Sequence, residues 1–132
     1  MRLGVARAVS EGTIVDGDVE VEDGRVSAVG VAPSGRSGIA IPGFVDIQVN
    51  GFGGIDFAAA TPKDYTEAGA ALVATGVVAY QPTLITLPED QTAAAVAVLA
   101  AVSPDDLGPH IVGMHLEGPF LSALRAGAQH ER

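Results

Sequence analysis

The sequence predicts an α/β fold built around a mainly parallel sheet. Strand-like apolar runs begin at residues 44, 77 and 111, at intervals of 33 and 34 residues, and each interval has room for a strand, a loop and a crossover helix. The stretches between them are alanine-rich and open on helix-start signals. The 132 residues are 48% hydrophobic, enough apolar matter for the core of one ordinary domain. Three βα units can open either a doubly wound sheet or a barrel, and the rhythm alone leaves both open; a closed eight-stranded barrel needs five more units, about 165 further residues at this spacing.

The segment before residue 39 follows another pattern. Residues 2 to 9 form a first strand, followed by Gly12-Thr13-Ile14-Val15-Asp16-Gly17. Asp18-Val19-Glu20-Val21-Glu22 then alternates polar and apolar, Asp23-Gly24 supplies a tight turn, and Arg25-Val26-Ser27-Ala28-Val29 resumes the alternation. That is a hairpin signature, with Val19, Val21, Val26 and Val29 expected on the buried face and a scaffold role only. Residues 32 to 38 read as a linker.

Beyond it, Phe44 to Asn50 is the first strand of the parallel set, and Gly51-Phe52-Gly53-Gly54 is a flexible turn. Residues 61 to 75 form a helix, with Thr61 as cap, Pro62 in the first turn, and Tyr65, Ala68, Leu72 and Thr75 on one face. Val77 to Gln81 is the second strand, ending at Pro82-Thr83. Thr86-Leu87-Pro88-Glu89 has capping-box spacing and leads into a helix over Ala93 to Val102. The third strand runs from Ile111 to Leu116 and stops at Glu117-Gly118-Pro119.

Composition excludes several function classes. Seven Lys and Arg stand against 16 Asp and Glu, a formal charge of -9, which disfavours nucleic acid or an anionic membrane as a partner. The absence of cysteine removes disulfides, thiolate metal sites and thiol nucleophiles. No apolar run approaches about 18 residues and no apolar leader opens the chain, so a soluble cytoplasmic protein is expected.

The residues placed for chemistry sit near strand ends, where β/α folds gather ligands. Glu117 is a carboxylate at such an end and suits a cation, although one carboxylate completes no metal shell. His115, two residues earlier, shares its face by strand alternation and could orient Glu117 or the substrate, although a lone histidine is more often packed and hydrogen-bonded. Gln48 and Asn50 share a face near the end of the first strand, with Asp46 below them; their amides donate and accept hydrogen bonds and fit a polar site lining or a stabilised loop. Asn50-Gly51-Phe52-Gly53-Gly54 lacks the spacing of a dinucleotide fingerprint.

The ordered set Pro42-Gly43-Phe44-Val45-Asp46-Ile47-Gln48-Val49-Asn50-Gly51, Gly53-Gly54-Ile55-Asp56-Phe57, Pro82-Thr83-Leu84-Ile85-Thr86 and His115-Leu116-Glu117-Gly118-Pro119-Phe120 resembles the amino-terminal part of the N-acetylglucosamine-6-phosphate deacetylases, a branch of the amidohydrolases. The resemblance runs from about residue 40 to the end. It implies an incomplete TIM-type (β/α)8 barrel of about three βα units over residues 39–132, preceded by part of a small β-sandwich domain and its linker over 1–38. It makes Glu117 a ligand of one divalent metal ion, zinc, whose other protein ligands are two histidines from later strands, with a later aspartate as general acid/base. The slot used for a His-x-His motif in many amidohydrolases holds Gln48-Val49-Asn50. Where the family has Lys-Gly-Ala-His bordering the sugar, this chain has Ala126-Gly127-Ala128-Gln129, with His130 one place later; Ala128 and Gln129 are therefore candidate substrate-binding residues.

What the resemblance implies for a complete protein is hydrolysis of N-acetylglucosamine 6-phosphate to glucosamine 6-phosphate and acetate, an amino-sugar phosphate as partner, and a homodimer. The short chain alone is expected to be inactive and to self-associate or require the missing portion. Two other readings are another N-acyl-sugar or cyclic-amide amidohydrolase, and a non-catalytic sugar-phosphate binding or interaction fragment.

Overall fold

The structure, a computed structural model, describes residues 1–103, 108–127 and 129. The chain divides into two compact units, Met1–Pro42 and Gly43–Arg132.

In the first unit β1 (Val5–Ser10) turns through Glu11-Gly12 into antiparallel β2 (Thr13–Asp16). β3 (Asp18–Glu22) and β4 (Arg25–Val31) form the predicted hairpin, with Asp23 at φ 50° and Gly24 at φ 72°, the left-handed pair that a two-residue Asp-Gly turn needs. β5 (Ser37–Ala40) lies parallel to β1 and completes the order β2-β1-β5. Ser37 and Gly38 therefore belong to a strand and not to the expected linker. Of the four valines expected inside the hairpin, Val19 is buried, whereas Val26 is 63% exposed and Val29 is also exposed. Register shifts between Asp18 and Val19 and between Glu20 and Val21 break the strict alternation that the expectation assumed.

The buried polar centre of this unit is Asp18. Its carboxylate accepts from the N–H groups of Gly4 (2.9 Å), Val5 (3.0 Å) and Val19 (2.8 Å) and meets Nε of Arg2 at 3.1 Å. Burial opposes its ionisation, but the Val19 and Val5 N–H groups, the Arg2 guanidinium and the Gly4 N–H outweigh that cost and hold the carboxyl below its ordinary 3.8.

The second unit carries the βα rhythm. β6 (Phe44–Val49), the short hairpin β7 (Gly51–Phe52) and β8 (Ile55–Asp56), α1 (Pro62–Val73), β9 (Val77–Leu84), α2 (Glu89–Ala100), β10 (His110–Ile111) and β11 (His115–Leu116) follow in order. β6 lies parallel to β9 on one side, while β10 and β11 lie parallel to it on the other. β10 and β11 act as one interrupted strand: His110 pairs with Ala79 and His115 with Thr83, so one extra residue is accommodated between them. The result is a three-lane parallel arc with observed strand starts at 44, 77 and 110, mixed α/β with no closed barrel among the described residues, as an incomplete (β/α)8 barrel requires.

Helix α1 begins as the sequence predicts. The Thr61 hydroxyl accepts from the Asp64 N–H, the Asp64 carboxylate accepts from the Thr61 N–H, and Pro62 occupies the first turn. Tyr65, Ala68, Gly69 and Leu72 are its buried face. Gly69 sits mid-helix because a Cβ there would lie 3.2 Å from Cδ of Pro109, tighter than ordinary packing. Thr75, expected on the same face, is exposed: the helix ends at Val73 and the Thr75 hydroxyl and N–H both donate back to the Leu72 carbonyl. The core against this helix is aromatic, with Phe57 stacked on Tyr65 at 4.9 Å and near Tyr80 at 5.8 Å. Burial pushes the Tyr80 hydroxyl up to about 12, with the Tyr65 charge adding to it. No helix among the described residues is long and apolar enough to cross a membrane.

Helix α2 departs from the expected capping box. Its N-cap is Pro88, which makes no side-chain cap bond, and Thr86 is engaged elsewhere. The second strand is also longer than expected, continuing through Pro82 to Leu84.

The lowered pKa of Asp18 fixes the sign of an acid effect. A carboxyl whose folded pKa lies below its unfolded value stabilises fully above the unfolded value, and that contribution disappears as pH falls through the folded one. Asp18→Asn should therefore be destabilised at neutral pH and converge on the parent protein in acid, as followed by urea unfolding at a series of pH values.

Candidate functional site

The carboxyl ends of β6, β9 and β11 bring together three residues that lie far apart in sequence. β9 stands between β6 and β11, so Gln48 and Glu117 are two strands apart, roughly 10 Å at ordinary strand spacing. Two long side chains bridge that gap: Nε2 of Gln48 donates to Oε1 of Glu117 at 2.7 Å. Gln48 reaches out because β6 leaves regular pairing between Asp46 and Val49. There the Asp46 carboxylate accepts from the Gln48 N–H at 3.1 Å, and Val49 N–H donates to the Thr83 hydroxyl at 3.1 Å.

Glu117 itself is fixed through its backbone. Its N–H donates to the Leu84 carbonyl at 2.9 Å and its carbonyl accepts from the Thr86 hydroxyl at 2.9 Å. The latter contact defines why Gly118 follows: a Cβ there would sit 2.4 Å from Oγ1 of Thr86, closer than any side chain tolerates. Beyond Gly118 the chain passes Pro119 and a short 3-10 turn, Ala123–Arg125, then returns. Gln129 comes back to Glu117: its Nε2 donates to Oε2 of Glu117 at 2.6 Å, while its Oε1 accepts from the Thr86 N–H at 2.6 Å.

Each oxygen of the carboxylate thus receives one neutral amide donor. These bonds are charge-assisted, and they orient the carboxylate without cancelling its charge. Each oxygen keeps lone-pair capacity, so Glu117 fits a metal ion as one oxygen donor. It does not hold one unaided: no group of three or more His, Cys, Asp or Glu side chains that could bind a metal occurs among the described residues. Glu117 is half-buried and borders a recess of about 430 Å3 whose walls include Ile85, Thr86, Leu116 and Phe120.

The other sequence candidates divide. Asn50 is exposed, and among the described residues its side-chain amide makes only a long 3.4 Å contact to the Thr83 carbonyl. It also borders a second opening of about 560 Å3 with the Gly51–Gly54 turn. His115 is half-buried on β11, next to the site in sequence, and makes no side-chain hydrogen bond among the described residues. Ala128 and His130 lie outside the described residues. Thr86 is the residue that sequence reading assigned elsewhere: its three-residue spacing to Glu89 mimics a helix cap, while its hydroxyl serves Glu117.

No family profile matches the chain. Individual proteins do. The human N-acetylglucosamine-6-phosphate deacetylase is 40% identical over 98 residues, 70% of this chain and 24% of that protein. The crystal structure of N-acetylglucosamine-6-phosphate deacetylase from Thermotoga maritima matches with a TM-score of 0.79 and 25% identity, covering 98% of this chain and 35% of that one. A variant of the Mycobacterium smegmatis N-acetyl-D-glucosamine-6-phosphate deacetylase, in complex with N-acetyl-D-glucosamine-6-phosphate, matches with a TM-score of 0.72 and 31% identity over 98% of this chain and 35% of that one. The chain spans about a quarter of the length of the human relative.

The Gly118–Thr86 approach yields a stability prediction. Gly118→Ala should cost about 1–3 kcal/mol as overpacking, measured by urea unfolding. In a Thr86→Ala background, where the obstructing hydroxyl is gone, the same substitution should cost clearly less.

Proposed function

We propose, for a chain homologous over 70% of its length to the N-acetylglucosamine-6-phosphate deacetylases of the amidohydrolase superfamily, that it supplies the opening part of an enzyme releasing acetate from N-acetylglucosamine 6-phosphate. In this reading the first unit, Met1–Pro42, begins the small β-sandwich domain and the second, from Gly43, begins the catalytic barrel, the boundary lying just past β5 and not at residue 38. The complete protein acts in the cytoplasm as a homodimer. The observation that carries the proposal is the position of Glu117: a half-buried carboxylate at the end of the third parallel strand, oriented by an amide from the first.

Glu117 is one ligand of a single divalent ion, zinc, whose remaining ligands and the general acid/base come from later residues. When bound, the ion supplies Lewis acidity to the acetyl carbonyl and lowers the pKa of the attacking water. This chain's own residues orient and bind. Gln48 and the Thr86 hydroxyl hold Glu117 from its two sides. Asn50 and His115 line the approach, and Ala128 and Gln129 border the sugar. The substrate assignment is supported by the Mycobacterium smegmatis relative, whose structure holds N-acetyl-D-glucosamine-6-phosphate. In this reading the general acid/base comes from later residues, so the 132-residue chain alone is inactive.

The test is acetate release by the product of the whole source reading frame, compared on phosphorylated and unphosphorylated N-acetylglucosamine. Metal-dependent turnover strongly favouring the phosphorylated sugar, abolished in Glu117→Gln, is expected. Equal efficiency on both sugars would assign the site to another N-acyl-sugar hydrolase. Sugar-phosphate binding without turnover would assign it to a binding protein.

A further inference from the structure

We infer that Gln129 is a positioning residue for Glu117, beyond any contact it makes with the sugar; the inference rests on the reading of Glu117 as a metal ligand. Gln129 uses both ends of its amide within the protein. Oε1 accepts from the Thr86 N–H at 2.6 Å and Nε2 donates to Oε2 of Glu117 at 2.6 Å. The Thr86 hydroxyl closes the circuit onto the Glu117 carbonyl at 2.9 Å. Three residues thus form a ring that ties the end of β9, the end of β11 and the returning chain together.

The ring constrains more than Gln48 does alone. Gln48 is exposed and approaches Oε1 from one side, which leaves the carboxylate free to rotate about its terminal bond. A second donor on Oε2 removes that rotation, and anchoring the donor's own oxygen to a backbone N–H fixes the amide in turn. Both donors are neutral, so the carboxylate keeps the full charge that a cation recognises. Partners that hydrogen-bond a metal ligand in this way set its orientation, and their loss typically weakens metal binding about ten- to a hundred-fold.

The ring also separates this role from sugar binding. A residue that only touches the sugar would raise KM when truncated and leave metal affinity alone. A residue that orients Glu117 would lower metal affinity and kcat, whether or not a sugar contact raises KM as well.

The experiment uses the product of the whole reading frame with two variants, Gln129→Met and Gln129→Asn. The first removes the amide at similar length, and the second keeps it but shortens its reach. Zinc affinity is measured by chelator competition, alongside kcat and KM. Both variants should bind zinc about ten- to a hundred-fold more weakly, with kcat reduced; any rise in KM for the sugar phosphate reports the sugar contact separately. Unchanged zinc affinity with a raised KM would overturn the inference and leave Gln129 as a sugar contact. Glu117→Gln is measured in parallel. If it too binds zinc like the parent, the underlying assignment of Glu117 has failed; if it loses zinc while both Gln129 variants keep it, only the positioning role has failed. Should either Gln129 variant fold poorly, the side-chain amide NMR signals of Gln48 and Gln129 in the product of the whole reading frame serve instead. Both should shift in Glu117→Gln, and an unmoved Gln129 signal would overturn the ring.

Discussion

β9 carries a parallel neighbour on each side, and the placement of every candidate site residue depends on that double ladder. On one side Phe44 pairs with Val77 and Val49 with Pro82; on the other His110 pairs with Ala79 and Leu116 with Leu84. Parallel pairing sends all three carboxyl ends the same way, and the crossover helices hold the register. α1 does so through Tyr65, Ala68 and Leu72, which pack with Phe57 and Tyr80 in one cluster. Without that ladder Gln48 and Glu117 would be 69 residues apart with nothing to bring them together.

The same ladder leaves work undone. Phe44, Ile47, Val78 and Val112 are all more than half exposed, and the outer edges of β6 and β10–β11 have no strand partner among the described residues. Open edges and apolar faces of this kind are association surfaces. They fit a segment that matches about a quarter of its human relative's length, and they give a physical reason why the short chain would self-associate. On the proposed reading the metal centre is incomplete in the same sense: Glu117 supplies one carboxylate, and no group of three or more His, Cys, Asp or Glu side chains that could hold a metal occurs among the described residues.

Much of this was legible in the sequence because it rests on local rules. The 33- and 34-residue rhythm located the parallel strands, Thr61-Pro62 located the first helix, and Asp23-Gly24 located the hairpin. Glu117 stood out because a strand stopped at Gly118-Pro119. The contacts that organise the site were not legible. Thr86 has the spacing of a helix cap, and nothing in the local pattern says that its hydroxyl prefers the Glu117 carbonyl. Gln129 follows a 12-residue excursion with no periodicity, so its return to Glu117 is a property of the folded loop. Val26 and Val29 misled for a related reason: alternation fixes a face only while the register is regular, and β3 and β4 slip twice.

On the proposed reading Glu117 is the first protein ligand of a metal centre that later residues complete. The most direct measurement is anomalous scattering at the zinc edge from crystals of the metal-loaded product of the whole reading frame. A single strong peak bonded to the Glu117 carboxylate, with the Gln48 and Gln129 amides still on its oxygens, is the predicted result. A metal bound elsewhere, with Glu117 facing solvent or an arginine, would contradict it.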